Sequence, residues 1–396
     1  MQHPVFRYSF PTQILFGVGV RAQLADELAA RKISRPIIVT DAMIAALPFA
    51  AEIQAIAGKN GADCALFPGR AGNPTESDVM AGVAAYKEHG ADAIIALGGG
   101  APMDVAKAIA VMTGHTGKLF DYEDEVEGAL PIIPEKVPPI LALPTTAGTG
   151  SEVGRSAVIA EDDTHFKRII FSPAILPVVV FADPELTIGL PVGVTAATGM
   201  DALTHNVEAR LARGFQPFCD GIAIEGMRLA AASLRDCVRF AREGTGATPE
   251  HLHARGLLLN ASMMGAVAFQ KGLGVTHSLA HSLSAVNDLH HGIANGIMIS
   301  YAMQFNAGGD DATRAACVEM ARAVRAPHES AEGFVEYLIQ LKADVGMPVG
   351  LRESGVTNEH VDDLVRFAEM DGCHQLNPRS VSAEQFREMY VEAIKA

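Results

Sequence analysis

Histidine concentrates in one short stretch, GVTHSLAHSLSAVNDLHHG at 274–292, which holds four of the chain's fourteen histidines. On a helix His277 and His281 stand four apart and share a face, while His290 and His291 follow beyond a polar break. Upstream, TGMDALTHNVE sets Asp201 and His205 at the same spacing, so a second helical face presents a carboxylate and an imidazole together. Such a set of nitrogen and oxygen donors is borderline-hard. It suits Fe2+ or Zn2+, not Ca2+ or a thiophilic metal. Burying so many polar groups without a common partner is costly, which favours a metal site over separate structural roles. Spacing alone leaves open which four of these residues bind.

A second chemistry is written in the glycines. ADAIIALGGGAPMDVAKAIAVM reads as a strand, three glycines and a helix start. Gly98, Gly99 and Gly100 allow close backbone approach to a ligand, and the helix N-terminus offers free N–H groups and a positive dipole end. A pyrophosphate fits there, although the spacing is neither GxGxxG nor GxxxxGK. LPTTAGTGSE (143–152) places hydroxyl side chains and glycines after another strand, suited to phosphate or ribose. PIIVTD ends on Asp41, whose carboxylate either accepts both hydroxyls of an adenosine ribose, repelling a 2′-phosphate with no cation nearby, or caps a helix. Three such loops at neighbouring strand ends describe a nucleotide crevice.

These loops need a sheet to hold them, and the first half supplies the pattern. PIIVTD (36–41), DCALFP (63–68), ADAIIALGGG (91–100), PPILALPTT (138–146) and LPVVVFAD (176–183) read as buried strands alternating with helical segments. That alternation predicts an α/β domain with a mainly parallel sheet, over residues 1–187. LTIGLPVGVTAATGMD then reads as a Gly/Pro/Thr-rich connector. Long helical patterns follow; in one, Met227, Ala231, Leu234 and Val238 recur on one face with Arg228, Arg235 and Arg239 between them. The second domain, 188–396, is therefore expected to be all-helical and to carry the metal.

Bulk properties narrow the partners. A chain of 396 residues exceeds one ordinary core, and 49% hydrophobic with 19% charged residues is globular. The net charge of −15 argues against nucleic-acid binding. The five cysteines are scattered with no CxxC pair, which fits a reducing cytoplasm. MQHPVFRYSFP lacks the pattern of a signal peptide, and no apolar run reaches membrane-spanning length uninterrupted.

Taken together, GGGAPMDVAK, LPTTAGTGSEV, GMDALTH, HSLAHSLSAVNDLHHGIANGI and NPRSVS resemble the iron-containing (group III) alcohol dehydrogenase family, in register from about residue 10 onward. The resemblance implies an N-terminal dinucleotide-binding domain, a helical domain and a catalytic divalent metal between them. It further implies NAD as cofactor, Fe2+ (alternatively Zn2+) as metal, a small alcohol or aldehyde as substrate, and a homo-oligomer. Asp201, His205, His277 and His291 fall on the family's metal ligands, and His281 on a histidine beside the substrate that passes protons. His290 matches no functional position. Cofactor contacts would fall on Asp41, Asn73, Gly98, Gly99, Gly100, Ala101, Pro102, Asp104, Thr145, Thr146 and Lys167.

Departures from the family pattern bear on the substrate. SEVGR has Gly154 in place of the usual threonine, followed by Arg155; Lys271 precedes the first ligand histidine of its motif; Ser282 replaces a usual proline. Arg155 and Lys271 are candidate anion-binding cations, which would favour an ω-hydroxy acid and its semialdehyde over a neutral alcohol. The bland alternatives are an Arg155–Glu152 pair and a solvated Lys271. Two rival functions are a metal-dependent lyase like the 3-dehydroquinate synthases, and a non-catalytic nucleotide- or metal-binding regulator.

Overall fold

In the computed structural model, which describes residues 10, 12–124, 126–164 and 166–396, the chain divides into two units at Thr187/Ile188. The expectations for the N-terminal segment 1–9 lie outside the described residues. One unit comprises Pro11–Thr146 and Gly150–Thr187; the other is built on Ile188–Ala396 and also takes in Ala147–Thr149. That small excursion has a physical anchor, since the Gly148 carbonyl accepts a hydrogen bond from Ser262 Oγ at 3.0 Å.

The first unit opens with β1 (Gln13–Phe16), α1 (Leu24–Ala30), β2 (Pro36–Asp41), α2 (Ala42–Ala45), α3 (Pro48–Ala57) and β3 (Ala65–Gly69). It continues with α4 (Glu76–His89), β4 (Ala93–Gly98), α5 (Gly100–Gly114), β5 (Ile140–Pro144), β6 (Ser156–Ala160), β7 (Lys167–Phe171) and β8 (Val179–Ala182). The main sheet runs β1-β8-β5-β4-β2-β3, and each recorded pairing in it is parallel. Ile37, Ile38, Val39, Ile94, Ile95, Leu141 and Val180 are all buried, so the central strands read as unbroken apolar runs, as a sheet covered on both faces requires. β6 and β7 form a separate antiparallel ribbon. The strands expected from the sequence are present: β2 has the expected bounds, β3 is shifted towards its C-terminal end, and β4, β5 and β8 are trimmed. β1 and the ribbon lie outside those expectations: β1 has only four residues, and β7 mixes a buried Ile170 with exposed Ile169 and Phe171.

The second unit holds α6 (Val192–Leu211), α7 (Pro217–Glu243), α8 (Pro249–Ala268), α9 (Val275–Asn287), α10 (His291–Ala307), α11 (Asp311–Ala323), α12 (Ala331–Val345), α13 (Val361–Met370) and α14 (Ala383–Lys395). On α7, Met227, Leu234 and Val238 are buried and Arg228 and Arg239 face out, as the periodicity predicts, while Ala231 and Arg235 are half-buried between them. The connector reading of 186–201 needs correction, because α6 begins at Val192 and VGVTAATGMD is its first half. Low helix propensity is overridden by burial: Thr195, Ala196, Ala197, Gly199 and Met200 all pack inside, and Thr198 Oγ1 bonds the Val194 carbonyl at 2.8 Å. Small residues here let α7 come close. A Cβ on Gly199 would stand 2.3 Å from Leu234 Cδ1.

That contact gives a stability test. Gly199→Ala should lower unfolding free energy by about 1–3 kcal/mol despite alanine's better helix propensity, because it overpacks the α6–α7 seam. Leu234→Ala should cost about 2–5 kcal/mol alone, and the double variant less than the sum, since the new methyl fills part of the gap. Denaturant melts of the four proteins check this; strict additivity would contradict the packing account.

Candidate metal centre and nucleotide-binding loops

The two histidine-bearing segments are brought together by a turn. α9 carries His277 and His281 one turn apart and ends at Asp288, which adopts left-handed backbone (φ 49°). The chain reverses there, and α10 starts at His291. His290 is the exposed residue before it; its carbonyl accepts from Ile293 and Ala294 and its ring makes no cap. α6 supplies Asp201 and His205. Glycines let the neighbouring backbones approach α6: a Cβ on Gly265 of α8 would lie 2.9 Å from His205 Cβ, and one on Gly292 of α10 would lie 2.6 Å from the Ala197 carbonyl oxygen.

The result is a cluster in which Asp201, His205, His277 and His291 each offer a ligand atom within 4.8 Å of the others. Asp201, His205 and His277 are buried and His291 is partly so. His205 and His277 stack at 4.7 Å between centroids, and His281 stacks on His291 at 5.2 Å. Three acceptors converge on one amide nitrogen: Asn295 Nδ2 lies 2.7 Å from Asp201 Oδ1, 3.0 Å from His291 Nε2 and 3.3 Å from His277 Nε2. An NH2 group has two hydrogens for those three lone pairs. His205 Nδ1 is buried without a side-chain hydrogen-bond partner among the described residues. Three imidazoles and one carboxylate so arranged are a donor set for a divalent iron or zinc ion, and the residues fit such an ion.

Electrostatics agree with that reading. Burial works against ionisation of Asp201, yet His205, His291, His277 and Asn295 around it hold its pKa down at about 2. Burial drives the His205 pKa down to about 4, so the ring is neutral and keeps its lone pairs at physiological pH. Burial would also lower His277, but Glu208 more than reverses it. Glu208, one turn beyond His205 on α6, contacts His277 Nδ1 at 2.6 Å. His281 Nδ1 stands 2.7 Å from Asp371 Oδ2, and Nε2 makes no hydrogen bond among the described residues. Lys271 is neither solvated nor free: its ammonium is buried, 2.5 Å from Asp220 Oδ1 and 3.1 Å from the Arg210 carbonyl. The expectation that it meets an anionic ligand is corrected accordingly; it ties α7 to the end of α6.

In the sheet unit, Asp41, Gly69 and Gly98 end the adjacent strands β2, β3 and β4, with Thr145 and Thr146 just past β5. Gly98 has φ 148°, and a Cβ there would strike Pro102 at 2.7 Å. Gly99 precedes α5 with no side-chain cap, so the first N–H groups of that helix are left for a ligand. The Thr145 amide bonds the Gly98 carbonyl at 3.0 Å, which locks the two loops side by side. Asp41 caps α2 through Oδ1, 2.9 Å from the Ile44 amide, and also lines a small open cavity with Gly69, Arg70, Ala101 and Pro102. Both readings of Asp41 are therefore compatible. The expectation of no cation nearby is not met, since Arg70 shares the cavity, held by Asp78, Thr75 and Ser77 at 2.8–3.0 Å. Asn73 is exposed in the loop after β3, beside Pro74 and Thr75, which join Ala160, the residue paired with Lys167.

Asp104 departs from a direct cofactor contact. Its buried carboxyl accepts from Ser151 Oγ at 2.7 Å and the Val158 amide at 3.1 Å, beside Lys107. Lys107 donates to the carbonyls of Ser151 and Ser156 and to Ser151 Oγ at 2.7–2.9 Å. Arg155 lies over the Phe171 ring at 5.2 Å and makes no ion pair with Glu152 among the described residues. Gly154 has φ −95°, so its lack of a side chain is not demanded by the backbone. Glu152 is buried with Oε1 unpartnered among the described residues, and burial pushes its pKa up to about 7. A carboxyl whose folded pKa exceeds its ordinary 4.5 contributes stability that is full below 4.5 and lost as pH rises through 7. Glu152→Gln should therefore raise Tm relative to the parent increasingly between pH 4.5 and 7.5, with a plateau above. Thermal melts across that range test it, and a pH-independent difference would contradict it.

Comparison with known proteins bears on both units. The profile described as "Iron-containing alcohol dehydrogenase" matches residues 11–184, and "Fe-containing alcohol dehydrogenase family, C-terminal" matches 195–394. The chain is 38% identical to 4-hydroxybutyrate dehydrogenase of Cupriavidus necator, over 97% of this chain and 98% of that one. A solved 1,3-propanediol oxidoreductase aligns with TM-score 0.90 at 30% identity, covering 98% of this chain and all of that chain. Sulfoacetaldehyde reductase of Bifidobacterium kashiwanohense, solved in complex with NAD+, aligns with TM-score 0.88 at 28% identity over the full length of both. With two matching profiles spanning nearly the whole sequence and a relative of this similarity, the chain belongs to the iron-containing alcohol dehydrogenase family.

Proposed function

We propose that the protein is an NAD-dependent, iron-dependent dehydrogenase that moves hydride between the nicotinamide and a small primary alcohol or its aldehyde. The observation that carries this is the convergence of Asp201, His205, His277 and His291 within 4.8 Å, in a member of the iron-containing family. Those four residues would hold the metal, which supplies Lewis acidity at the substrate oxygen. His281 takes up or returns the displaced proton at Nε2, while Asp371 keeps its ring oriented through Nδ1. Gly98, Gly99, Gly100, Ala101 and Pro102 seat the pyrophosphate at the start of α5, and Asp41 accepts the adenosine ribose hydroxyls through Oδ2. Thr145, Thr146, Asn73 and Lys167 flank that path; Asp104 acts one layer behind, through Ser151 and β6. The lyase and regulator readings find no support, since the relatives are dehydrogenases and reductases.

The finer reading concerns substrate and setting. Two of the relatives act, by name, on carboxylate- or sulfonate-bearing compounds, and Arg155 is a cation with no acid partner among the described residues. We therefore favour a small ω-hydroxy acid and its semialdehyde. A homo-oligomer in the cytoplasm is the setting we favour; the free thiols of Cys64, Cys219, Cys237, Cys317 and Cys373 suit a reducing compartment, and exposed Phe16 and Val18 beside the sheet's edge strand offer apolar surface to a second copy. No helix among the described residues is long and apolar enough to cross a membrane.

Two measurements test the reading. His205→Ala or His291→Ala should abolish turnover and metal content while NADH still binds, and His281→Ala should keep the metal and lose rate. Full metal occupancy in purified His291→Ala would remove the ligand assignment. On substrate, kcat/KM for succinic semialdehyde should exceed that for butanal about tenfold or more, as one charge-assisted contact of roughly 1.5–3 kcal/mol implies. Arg155→Met should erase the gap and leave butanal unchanged; equal efficiencies in the parent enzyme would dispose of the anion pocket.

A further inference from the structure

We propose that Glu208 is the positioning residue of the metal centre: one buried carboxylate that anchors the N-terminus of α9 and, with the same oxygen, fixes which nitrogen of His277 faces the other donors. The inference rests on the metal reading above. Glu208 sits on α6, one turn from His205 and two from Asp201, and is 1% exposed. Its Oε2 accepts from the Gly274 amide at 2.9 Å, the His277 amide at 3.3 Å and His277 Nδ1 at 2.6 Å; Oε1 accepts from the Thr276 amide at 2.5 Å. Three of these are amides at the start of α9, the groups a helix leaves unpaired at its beginning. The fourth holds the hydrogen on Nδ1, so the lone pair of His277 is on Nε2, the atom nearest Asn295 in the cluster. Gly274 is what lets the carboxylate seat, since a Cβ there would stand 3.0 Å from Oε1.

The chemistry around Glu208 leaves no room for an amide. Every hydrogen-bonding neighbour of its two oxygens among the described residues is a donor, so a glutamine would press its NH2 against a backbone N–H or against His277 Nδ1, whichever way it turned. In the second orientation the ring would be driven to carry its hydrogen on Nε2, where it cannot bind a metal. Asn377 offers a control, because its Oδ1 accepts from the Val275 amide at 3.4 Å and so steadies the same helix start, with no recorded contact to the His277 ring.

The test uses Co2+ added to the metal-free full-length protein, with affinity read by chelator competition and geometry by the visible ligand-field bands. Glu208→Gln should weaken Co2+ binding about 10- to 100-fold and shift those bands, with NADH binding unchanged. Asn377→Ala should bind Co2+ as the parent does. If Glu208→Gln does not fold, Glu208→Asp carries the test: it retains the charge but cannot reach both the amides and the ring, so affinity should fall at least about fivefold. Parent-like affinity and bands in the folded glutamine variant, or in the aspartate variant where that carries the test, would overturn the proposal. So would an equal loss in Asn377→Ala, because helix anchoring alone would then explain it. Failure of the underlying metal reading is separately visible, as parent protein that holds no Co2+ or a His205→Ala variant that holds it fully.

Discussion

A carboxylate and three imidazoles crowded inside a helical unit impose the constraint on which the rest of this half depends. Lone pairs brought that close repel unless a positive centre lies among them, and the burial of Asp201, His205 and His277 weakens screening by solvent. Everything nearby works to make the crowding tolerable. Asp201 stays ionised against its burial, His205 stays neutral because of it, and Glu208 supplies a hydrogen-bond acceptor behind His277. Three helices must be placed to within a fraction of an ångström for this to work, and the turn at Asp288 and the small residues of α6 are how the chain does so.

The sheet unit solves a different problem with different means. A dinucleotide brings its own negative charge, so the protein needs donors and space at the strand ends, not a charge cluster. Glycine at 98 gives the backbone a conformation that side chains rarely adopt, and the helix that follows presents uncapped amides. Behind that surface lies a buried layer of ionisable groups: Asp104 and Lys107 meet through Ser151, and Glu152 lies within the electrostatic reach of Lys107. This layer fixes where the loop after β5 sits.

How much of this was legible in the sequence follows from what each feature depends on. The parallel strands, the α7 stripe and the spacings Asp201–His205 and His277–His281 are local patterns, and local patterns carry through. The first half of α6 reads as a connector because its glycines and threonines are there for close packing, which propensity does not report. Asp371 lies 90 residues from His281 and had no sequence signal at all. Glu208 had one, its place on the same helical face as Asp201 and His205, but a glutamate on a helix is ordinarily solvated and the signal is weak. Lys271 looked like a pocket cation because its partner Asp220 is distant in sequence.

The close approach at Gly265 and Gly292 also bears on how this scaffold can diversify. With no room for even a methyl group between α6 and the backbones of α8 and α10, the helices that carry Asp201, His205 and His291 are held in one arrangement. A lineage that changes its substrate must therefore leave these helices alone and accumulate replacements elsewhere, in loops and at positions such as Gly154 and Arg155 where the backbone tolerates them. Chemistry and selectivity can then drift at different rates, the one frozen by sterics and the other open to selection.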